Sequence, residues 1–438
     1  MDINRKTLTR LLRLYWVLLL VIGEIMLYKW HIGGCRWPAM ADKTEYKAKP
    51  AHVAIIADPQ IVDHYSYGQT GLLLRITEFF TDIYMRKSYR FLQTLMRPEK
   101  IIFLGDMMDG GREWADDQWM QEFQRYQSIF TNRYPRQTQI YNMAGNHDIG
   151  IGNTVIDHAL QRFHRYVGPT NIVLDIADHQ VILLDTLLLE NDDRNKSRDS
   201  RDLVSRIAKN ASDQRPRLLF THVPMWRPSK TYCGVERQSK KKYLLERTGY
   251  QFRDQLFQNT TSYLLEKIRP NAVFSGDDHD SCTVDHEIPN APGILAREYT
   301  VGAFGWASGV PVASYALLTL YPRTETREAA FLVQRCFLPY QLGIYKMYLL
   351  SFAVSLAIIG VFCFKGSQMW LPVAMDHEGA QWAVIGDMDR LVEHGMGANG
   401  RWMLSKRGFV RHFALILGDV LAAGVPTYIA CVLFSFIF

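Results

Sequence analysis

The 438 residues contain six cysteines and no C-x-x-C pair, which excludes zinc ribbons and thioredoxin-like redox chemistry. A long basic run is missing as well. The net charge of +6 is modest for this length and the lysines and arginines are scattered, which argues against a nucleic-acid surface. The hydrophobic share of 48% is ordinary but unevenly spread: both ends are far more apolar than the middle.

Residues 1–13 carry Arg5, Lys6, Arg10 and Arg13 against Asp2 alone, and an apolar run from Leu14 to Trp30 follows, broken by Glu24 and Lys29. That run is near the short limit for a membrane span. A cleavable signal peptide competes, but no convincing small-residue cleavage site follows. An uncleaved anchor at 14–30, its basic end in the cytosol, is therefore expected. Leu342–Phe364 and Phe409–Phe438 supply two more spans, the last interrupted by Arg411, His412, Asp419 and Pro426. Three spans put residues 365–408, a polar loop holding Trp370, Trp382 and Trp402, in the cytosol. Residues 52–338 then face the lumen, behind a linker at 31–51. The sequons at Asn195, Asn210 and Asn259 all lie in that lumenal stretch. Four cysteines share the same side. Cys35–Cys336 with Cys233–Cys282 is one of three pairings, and four free thiols are the alternative. Glu24 and Asp419 fall at membrane depth, where an acid is functional by default. The plainer readings are snorkelling for Glu24 and a hydrogen bond within the bundle for Asp419.

The middle of the chain alternates strands and helices. Strand patterns at His52–Ala57, Lys100–Leu104, Gln139–Met143, Leu218–Phe220 and Asn271–Ser275 are separated by helical patterns at Leu72–Met96, Trp114–Phe130, Asp157–Tyr166, Asp199–Lys209 and Gln251–Lys267. Such alternation implies crossover connections and a mainly parallel core. Paired strands at Ile172–Ala177 and Gln180–Asp185 interrupt it. After Gly276 only short strands follow, at Cys282–Ile288, Glu298–Val301, Tyr315–Leu320 and Ala330–Cys336. The expected fold is α/β: a sandwich with helices outside, its second sheet more antiparallel than its first.

Five polar blocks each end an apolar run: Asp58-Pro59-Gln60, Gly105-Asp106-Met107-Met108-Asp109-Gly110-Gly111, Gly145-Asn146-His147-Asp148, Thr221-His222-Val223-Pro224 and Gly276-Asp277-Asp278-His279-Asp280. A buried parallel strand that stops at Asp, Asn or His sets that side chain at the carboxyl edge of its sheet, where α/β proteins build their sites. Carboxylate, amide and imidazole groups are the ligands that hold a pair of divalent cations. Taken singly, each residue reads best as a polar cap on a strand–helix turn. As a set they read as a two-metal hydrolase.

In order and spacing the blocks resemble the calcineurin-like metallophosphoesterases, whose usual order is D-x-H, GD-x-x-D, GNH[DE], GH and GH-x-H, over about residues 52–338. The resemblance implies one metal held by Asp58, Gln60, Asp106 and His279. It implies a second held by Asp106, Asn146, His222 and Asp277. His147 is then the unligated histidine beside the phosphoryl group, oriented by Asp148. Gln60 stands where His is usual, and Asp277 replaces the first His of GH-x-H; Asp63 or His64 could substitute for Gln60. Oxygen in place of nitrogen at both positions favours manganese over zinc, with magnesium also possible. The extra negative charge favours a phosphodiester over a dianionic monoester.

The three spans and the departed motifs together resemble the eukaryotic lumenal phosphoesterases that remodel glycosylphosphatidylinositol (GPI) anchors. The resemblance implies hydrolysis of an ethanolamine-phosphate branch from a mannose of the GPI glycan, in the endoplasmic reticulum or Golgi membrane, with the GPI lipid or GPI-anchored proteins as substrate. For the ethanolamine, Asp278, Asp280, Trp226, Tyr232 and Trp306 are candidate contacts. The basic stretch Arg227–Lys242 could touch lipid phosphate, a solvated loop being the plainer reading. The rival functions are a lumenal phosphatase on nucleotides or proteins and a non-catalytic, metal-binding cargo scaffold.

Overall fold

The computed structural model describes residues 4–40, 49–68, 70–210, 212–368 and 406–437. At the N-terminal end α1 (Arg5–Val21), a π-helical turn at Ile22–Met26 and α2 (Leu27–Gly34) run on as one apolar helix of 30 residues. Two compact units divide the chain: Tyr28–Gln341, and Met1–Leu27 with Leu342–Ile437.

In the larger unit, β1 (Ala51–Ile56), β2 (Lys100–Phe103) and β3 (Gln139–Asn142) lie parallel. Between β1 and β2 come α3 (His64–Tyr67) and α4 (Gly71–Phe91), the latter continued by a π turn at Leu92–Met96; α5 (Asp116–Ile129) links β2 to β3. The short helix α6 (Asn146–Ile149) and α7 (Asp157–Tyr166) lead to the hairpin β4 (Ile172–Ile176) and β5 (His179–Leu183). After α8 (Thr186–Leu189) and α9 (Arg198–Lys209) come β6 (Arg217–Phe220) and the small hairpin β7 (Thr248–Gly249) and β8 (Phe252–Arg253). Then follow α10 (Gln258–Ile268), β9 (Ala272–Ser275), β10 (Cys282–Glu287), β11 (Leu295–Thr300), β12 (Ser314–Tyr321) and β13 (Ala330–Phe337).

The strands form two main sheets, ordered β13-β12-β1-β2-β3 and β10-β11-β9-β6-β5-β4. Val53, Ile55, Ile102, Leu318 and Leu320 of the first meet Val181, Leu183, Leu218, Phe220 and Phe274 of the second in one buried core. This is the expected sandwich with a different division of strands. The late strands do not make a sheet of their own: β12 and β13 complete the first sheet, and β10 and β11 the second. The first sheet is therefore parallel over β1, β2 and β3 and antiparallel over β12 and β13, while the second has a parallel centre with an antiparallel strand at each margin. Outside the first sheet, Phe103 meets Tyr89 of α4 at 6.1 Å and Phe130 at 5.2 Å between ring centres. Leu203, Val204 and Ile207 of α9 and Leu264, Leu265 and Ile268 of α10 are likewise buried.

The helix expected over Gln251–Lys267 starts only at Gln258, because the residues before it fold into the β7–β8 hairpin. Gln251 turns that hairpin in the left-handed region, at φ 59°. Two disulfides, Cys35–Cys336 and Cys233–Cys282, close loops of 301 and 49 residues' separation. Asn195, Asn210 and Asn259 are all exposed.

In the smaller unit α11 (Gln341–Gln368) and α12 (Lys406–Ile437) join α1 around Leu8, Leu12, Ile359, Cys363, Ile416 and Val420. Arg5–Gly34, Gln341–Phe364 and Phe409–Ile437 are each long and apolar enough to cross a membrane. Both acids in these helices are paired: Tyr348 donates to Glu24 at 2.9 Å, and Arg13 reaches the Asp419 carboxylate at 3.4 Å. Residues 369–405, which include Trp370, Trp382 and Trp402, lie outside the described residues.

Candidate metal centre

The parallel strands β1, β2, β6 and β9 all deliver polar side chains just past their last residues, and β3 leads into α6. Leaving a strand at once for a site costs the backbone its ordinary conformation. Asp58, Gln60, Asp106, Asp277 and His279 all have φ between 32° and 65°, a left-handed region that side chains other than glycine rarely adopt. Two glycines make the crowding possible. A Cβ on Gly105 would lie 2.7 Å from the backbone nitrogen of Gly145 and from Nδ1 of His222, and one on Gly145 would lie 2.0 Å from Oδ1 of Asp106.

The result is a compact group of ligand atoms. Those of Asp58, Asp106 and His222 lie within 4.8 Å of one another. His222 donates Nδ1–H to the Leu104 carbonyl at 2.8 Å, which fixes the ring and leaves Nε2 facing inward. Nε2 lies 2.9 Å from Asn146 Oδ1, 3.4 Å from Asp106 Oδ1 and 3.6 Å from Asp277 Oδ1. On the other flank, Gln60 Nε2 donates to Asp106 Oδ2 at 2.9 Å, and the Asp277 N–H donates to Asp58 Oδ2 at 2.9 Å. His279 holds its Nδ1 against the Ser308 carbonyl at 3.1 Å, and lines a cleft with Asp58 and Gln60.

The electrostatics fit bound cations. Asp58 and Asp106 are fully buried, and Asp58 Oδ1 has no hydrogen-bond partner among the described residues. Burial, opposed by His222 and His279 and helped by Asp106 and Asp277, raises the Asp58 carboxyl to about 7. Against the pull of burial, Asp106, Asp277 and Asp58 raise His222 well above the usual imidazole range. The carboxylates that favour positive charge on this imidazole would equally favour a bound cation. Carboxylate, amide and imidazole donors converging on one buried point are a set for divalent ions.

His147 and Asp148 divide their roles differently from the expected pair. Nδ1 of His147 lies against the Asp109 carbonyl, and 3.1 Å from Asp109 Oδ1. Asp148 instead accepts the backbone N–H groups of Asp106, Met107 and Gly145, at 2.9, 3.1 and 2.8 Å. It holds two of the polar blocks together, and Asp109 orients the imidazole. Burial lowers and Asp106 and Asp109 raise the His147 pKa, with a net rise. Asp63 is likewise committed elsewhere: it accepts from Tyr65, Gly110 and Trp114. His64 is exposed, its ring 6.2 Å from that of Trp114.

Gln251 escaped the sequence reading. Its carbonyl accepts the Asn146 amide at 2.8 Å, turning Asn146 Oδ1 toward His222, and its side chain bonds Ile151 and Thr154. No local pattern marks it. It reaches the site only because the β7–β8 hairpin folds back.

Of the expected substrate contacts, Asp278 is paired with Arg237, and Asp280 accepts from Gln238, Ser239 and Ser281. Trp226 is half-buried with its backbone on Thr261, and Tyr232 is exposed. Trp306 lines the cleft that opens beside Asp58, Gln60 and His279. The cleft holds about 370 Å³ and is also lined by Tyr67, Met85 and Asp109.

A family model for calcineurin-like phosphoesterases matches residues 51–281. The yeast Saccharomyces cerevisiae protein named Cell division control protein 1 is 35% identical over 371 residues, covering 80% of this chain and 75% of its own. Metallophosphoesterase 1 of Xenopus laevis is 26% identical over 316 residues, 65% of this chain and 73% of its own. Among solved structures, a purple acid phosphatase from yellow lupin seeds aligns with a TM-score of 0.40 at 11% identity, over 66% of this chain and 54% of that one. The matched stretch carries every strand end that supplies a metal-ligand candidate: this chain belongs to the calcineurin-like phosphoesterases and is a metal-dependent hydrolase of phosphate esters.

Proposed function

We propose that the protein is a lumenal, membrane-anchored phosphodiesterase that removes an ethanolamine-phosphate branch from a mannose of the GPI glycan. The observation that carries this reading is the cleft beside the metal centre. Asp58, Gln60 and His279 line it together with Tyr67, Trp306 and Asp109. Aromatic faces and a carboxylate suit an ammonium group, and a metal centre suits a phosphate. Ethanolamine phosphate carries both charges a short distance apart.

Asp58, Gln60, Asp106 and His279 would hold one cation, and Asp106, Asn146, His222 and Asp277 the other. Bound there, two divalent ions supply positive charge to the phosphate oxygens and acidify an attacking water. The oxygen donors of Gln60 and Asp277 favour manganese. His147 has Nδ1 anchored on Asp109, and its Nε2 has no hydrogen bond among the described residues. That nitrogen would give a proton to the departing mannose oxygen. Asp277 in place of the family's usual histidine leaves less net positive charge, which suits a monoanionic diester. The two disulfides call for an oxidising compartment, and the exposed sequons suit the lumen of the endoplasmic reticulum or Golgi.

The test has two arms. The purified full chain with manganese should turn over bis(4-nitrophenyl) phosphate faster than 4-nitrophenyl phosphate. Cells carrying only the His147→Ala protein should accumulate GPI glycans that keep an extra phosphoethanolamine, read by mass spectrometry. Unchanged glycans would remove the GPI substrate, and a preference for the monoester would remove the diester assignment.

A further inference from the structure

The first half of α4 is an amphipathic helix whose apolar face is left uncovered by the described residues of the domain. Leu72, Leu73, Ile76 and Phe79 are 75%, 59%, 44% and 45% exposed. At about 100° per residue these positions fall within roughly a third of the helix circumference, so they make one continuous face. The opposite side is ordinary interior: Thr81 and Met85 line the cleft, and Glu78 pairs with Arg125. Tyr65 and Tyr67, just before the helix, extend the exposed apolar surface at 42% and 53%. A soluble surface does not gather large apolar side chains in this way without a partner.

The other half of α4 shows which partner. Tyr84 donates to the Pro339 carbonyl at 3.0 Å and packs edge-to-face on Tyr28 at 5.7 Å, and Lys87 lies over the same Tyr28 ring. Tyr28 in turn donates to Gln341 at 2.6 Å. Tyr28 belongs to the last turns of the first membrane-span helix, and Gln341 begins the second. α4 is thus fastened to the points where two spans join the domain. From Tyr84 back to Leu72 is about 18 Å along the helix. An amphipathic helix anchored that close to the bilayer has only to lie along it for its apolar face to enter the headgroup boundary. Exposed Arg75 borders the face, where its stem can stay among apolar groups while its guanidinium meets lipid phosphate.

We infer that the Gly71–Phe80 half of α4 is an interfacial helix that docks on the lipid bilayer and holds the mouth of the catalytic cleft at the membrane surface. This rests on the spans and on α4 alone, and not on which ester is cleaved. It explains how an enzyme tethered by its spans keeps its cleft at the bilayer surface.

The experiment uses the full chain in vesicles of phosphatidylcholine with one fifth phosphatidylserine, with Cys363 and Cys431 replaced by serine. A nitroxide is attached at Leu73→Cys or, as a water-facing control, at Val235→Cys. The label at 73 should be relaxed by dissolved oxygen and shielded from an aqueous nickel chelate, with the reverse at 235. Water-like accessibility at 73 overturns the inference. So does a dipolar coupling between labels at 73 in two copies, which would make the face a contact between chains. Independently, Leu72→Glu with Ile76→Glu should abolish the oxygen relaxation at 73 and leave hydrolysis of soluble bis(4-nitrophenyl) phosphate unchanged. Retained relaxation in that variant also overturns it. Failure of the GPI reading would alter none of these results.

Discussion

The two sheets hold their halves of the metal centre by different means. On the first sheet, Asp106 and Asn146 are steadied by separate braces: Asp148 ties the two blocks through three backbone N–H groups, Asp63 ties the Gly110 turn, and the Gln251 carbonyl holds the Asn146 amide. On the second, the support comes from one buried charged group and its partners. Glu298 of β11 is fully buried and accepts from the Met225 N–H, three residues beyond His222, and from Ser275, two residues before Asp277. Arg227 neutralises it and His286 lies 2.7 Å from it, and the Cys233–Cys282 disulfide lies beside them, with Arg227 3.1 Å from the Cys282 sulfur. One half is a motif and its separate braces. The other is a buried ion network assembled from several elements, so it should be the half more sensitive to distant substitution.

That contrast can be broken in steps. The largest effect belongs to His147→Ala, which should lower kcat by about 10²–10⁴-fold with metal content unchanged, by elemental analysis beside kinetics. Loss of bound metal in that variant would mean the imidazole is a ligand. Next comes Glu298→Ala, which strands Arg227 in the interior at a cost of about 3–5 kcal/mol. It should also weaken metal binding about 10–100-fold through the His222 and Asp277 loops, read by denaturant melts and metal titration. A drop in stability alone would show that the network props the fold and not the site.

The same residue predicts a pH dependence. Burial opposes ionisation of Glu298, but Arg227, His286 and Ser275 hold it at about 2, below the ordinary glutamate value of roughly 4.3. Its contribution to stability is complete above that ordinary value and is lost as pH falls toward about 2. Glu298→Gln should therefore flatten the stability profile across that acid window and leave the slope near neutrality alone. Removing the Cys233–Cys282 bond by paired serine substitution is a smaller step, about 2–4 kcal/mol in unfolding free energy with turnover at 25 °C within a few-fold. Smallest is Gln60→His, which should keep activity and move the metal preference from manganese toward zinc, read as the ratio of rates with each ion.

Much of this was legible beforehand, and the limits follow from range. Asp58, Asp106, Asn146, His222, Asp277 and His279 could be picked out because each follows a short apolar run, a signal contained within ten residues. Asp109 was visible as part of its block, but not its hold on His147, since only the fold shows that Asp148 has spent both oxygens on backbone N–H groups. Gln251 was hidden inside an apparent helix, where the helical pattern of Gln258–Ile268 extends backward through residues that form a hairpin instead. The late strands were legible as short strands, yet nothing local told β10 and β11 from β12 and β13.

What the amino-acid order determined alone was the alternation of elements, the five strand ends and the three long apolar helices, because each depends on periodicity or run length within a single segment. The tertiary structure alone decided which sheet each late strand joined, which acid oriented His147, and which face of α4 was left exposed. Those outcomes depend on which distant groups reach the same donor or the same surface, and they exist only once the chain has closed on itself.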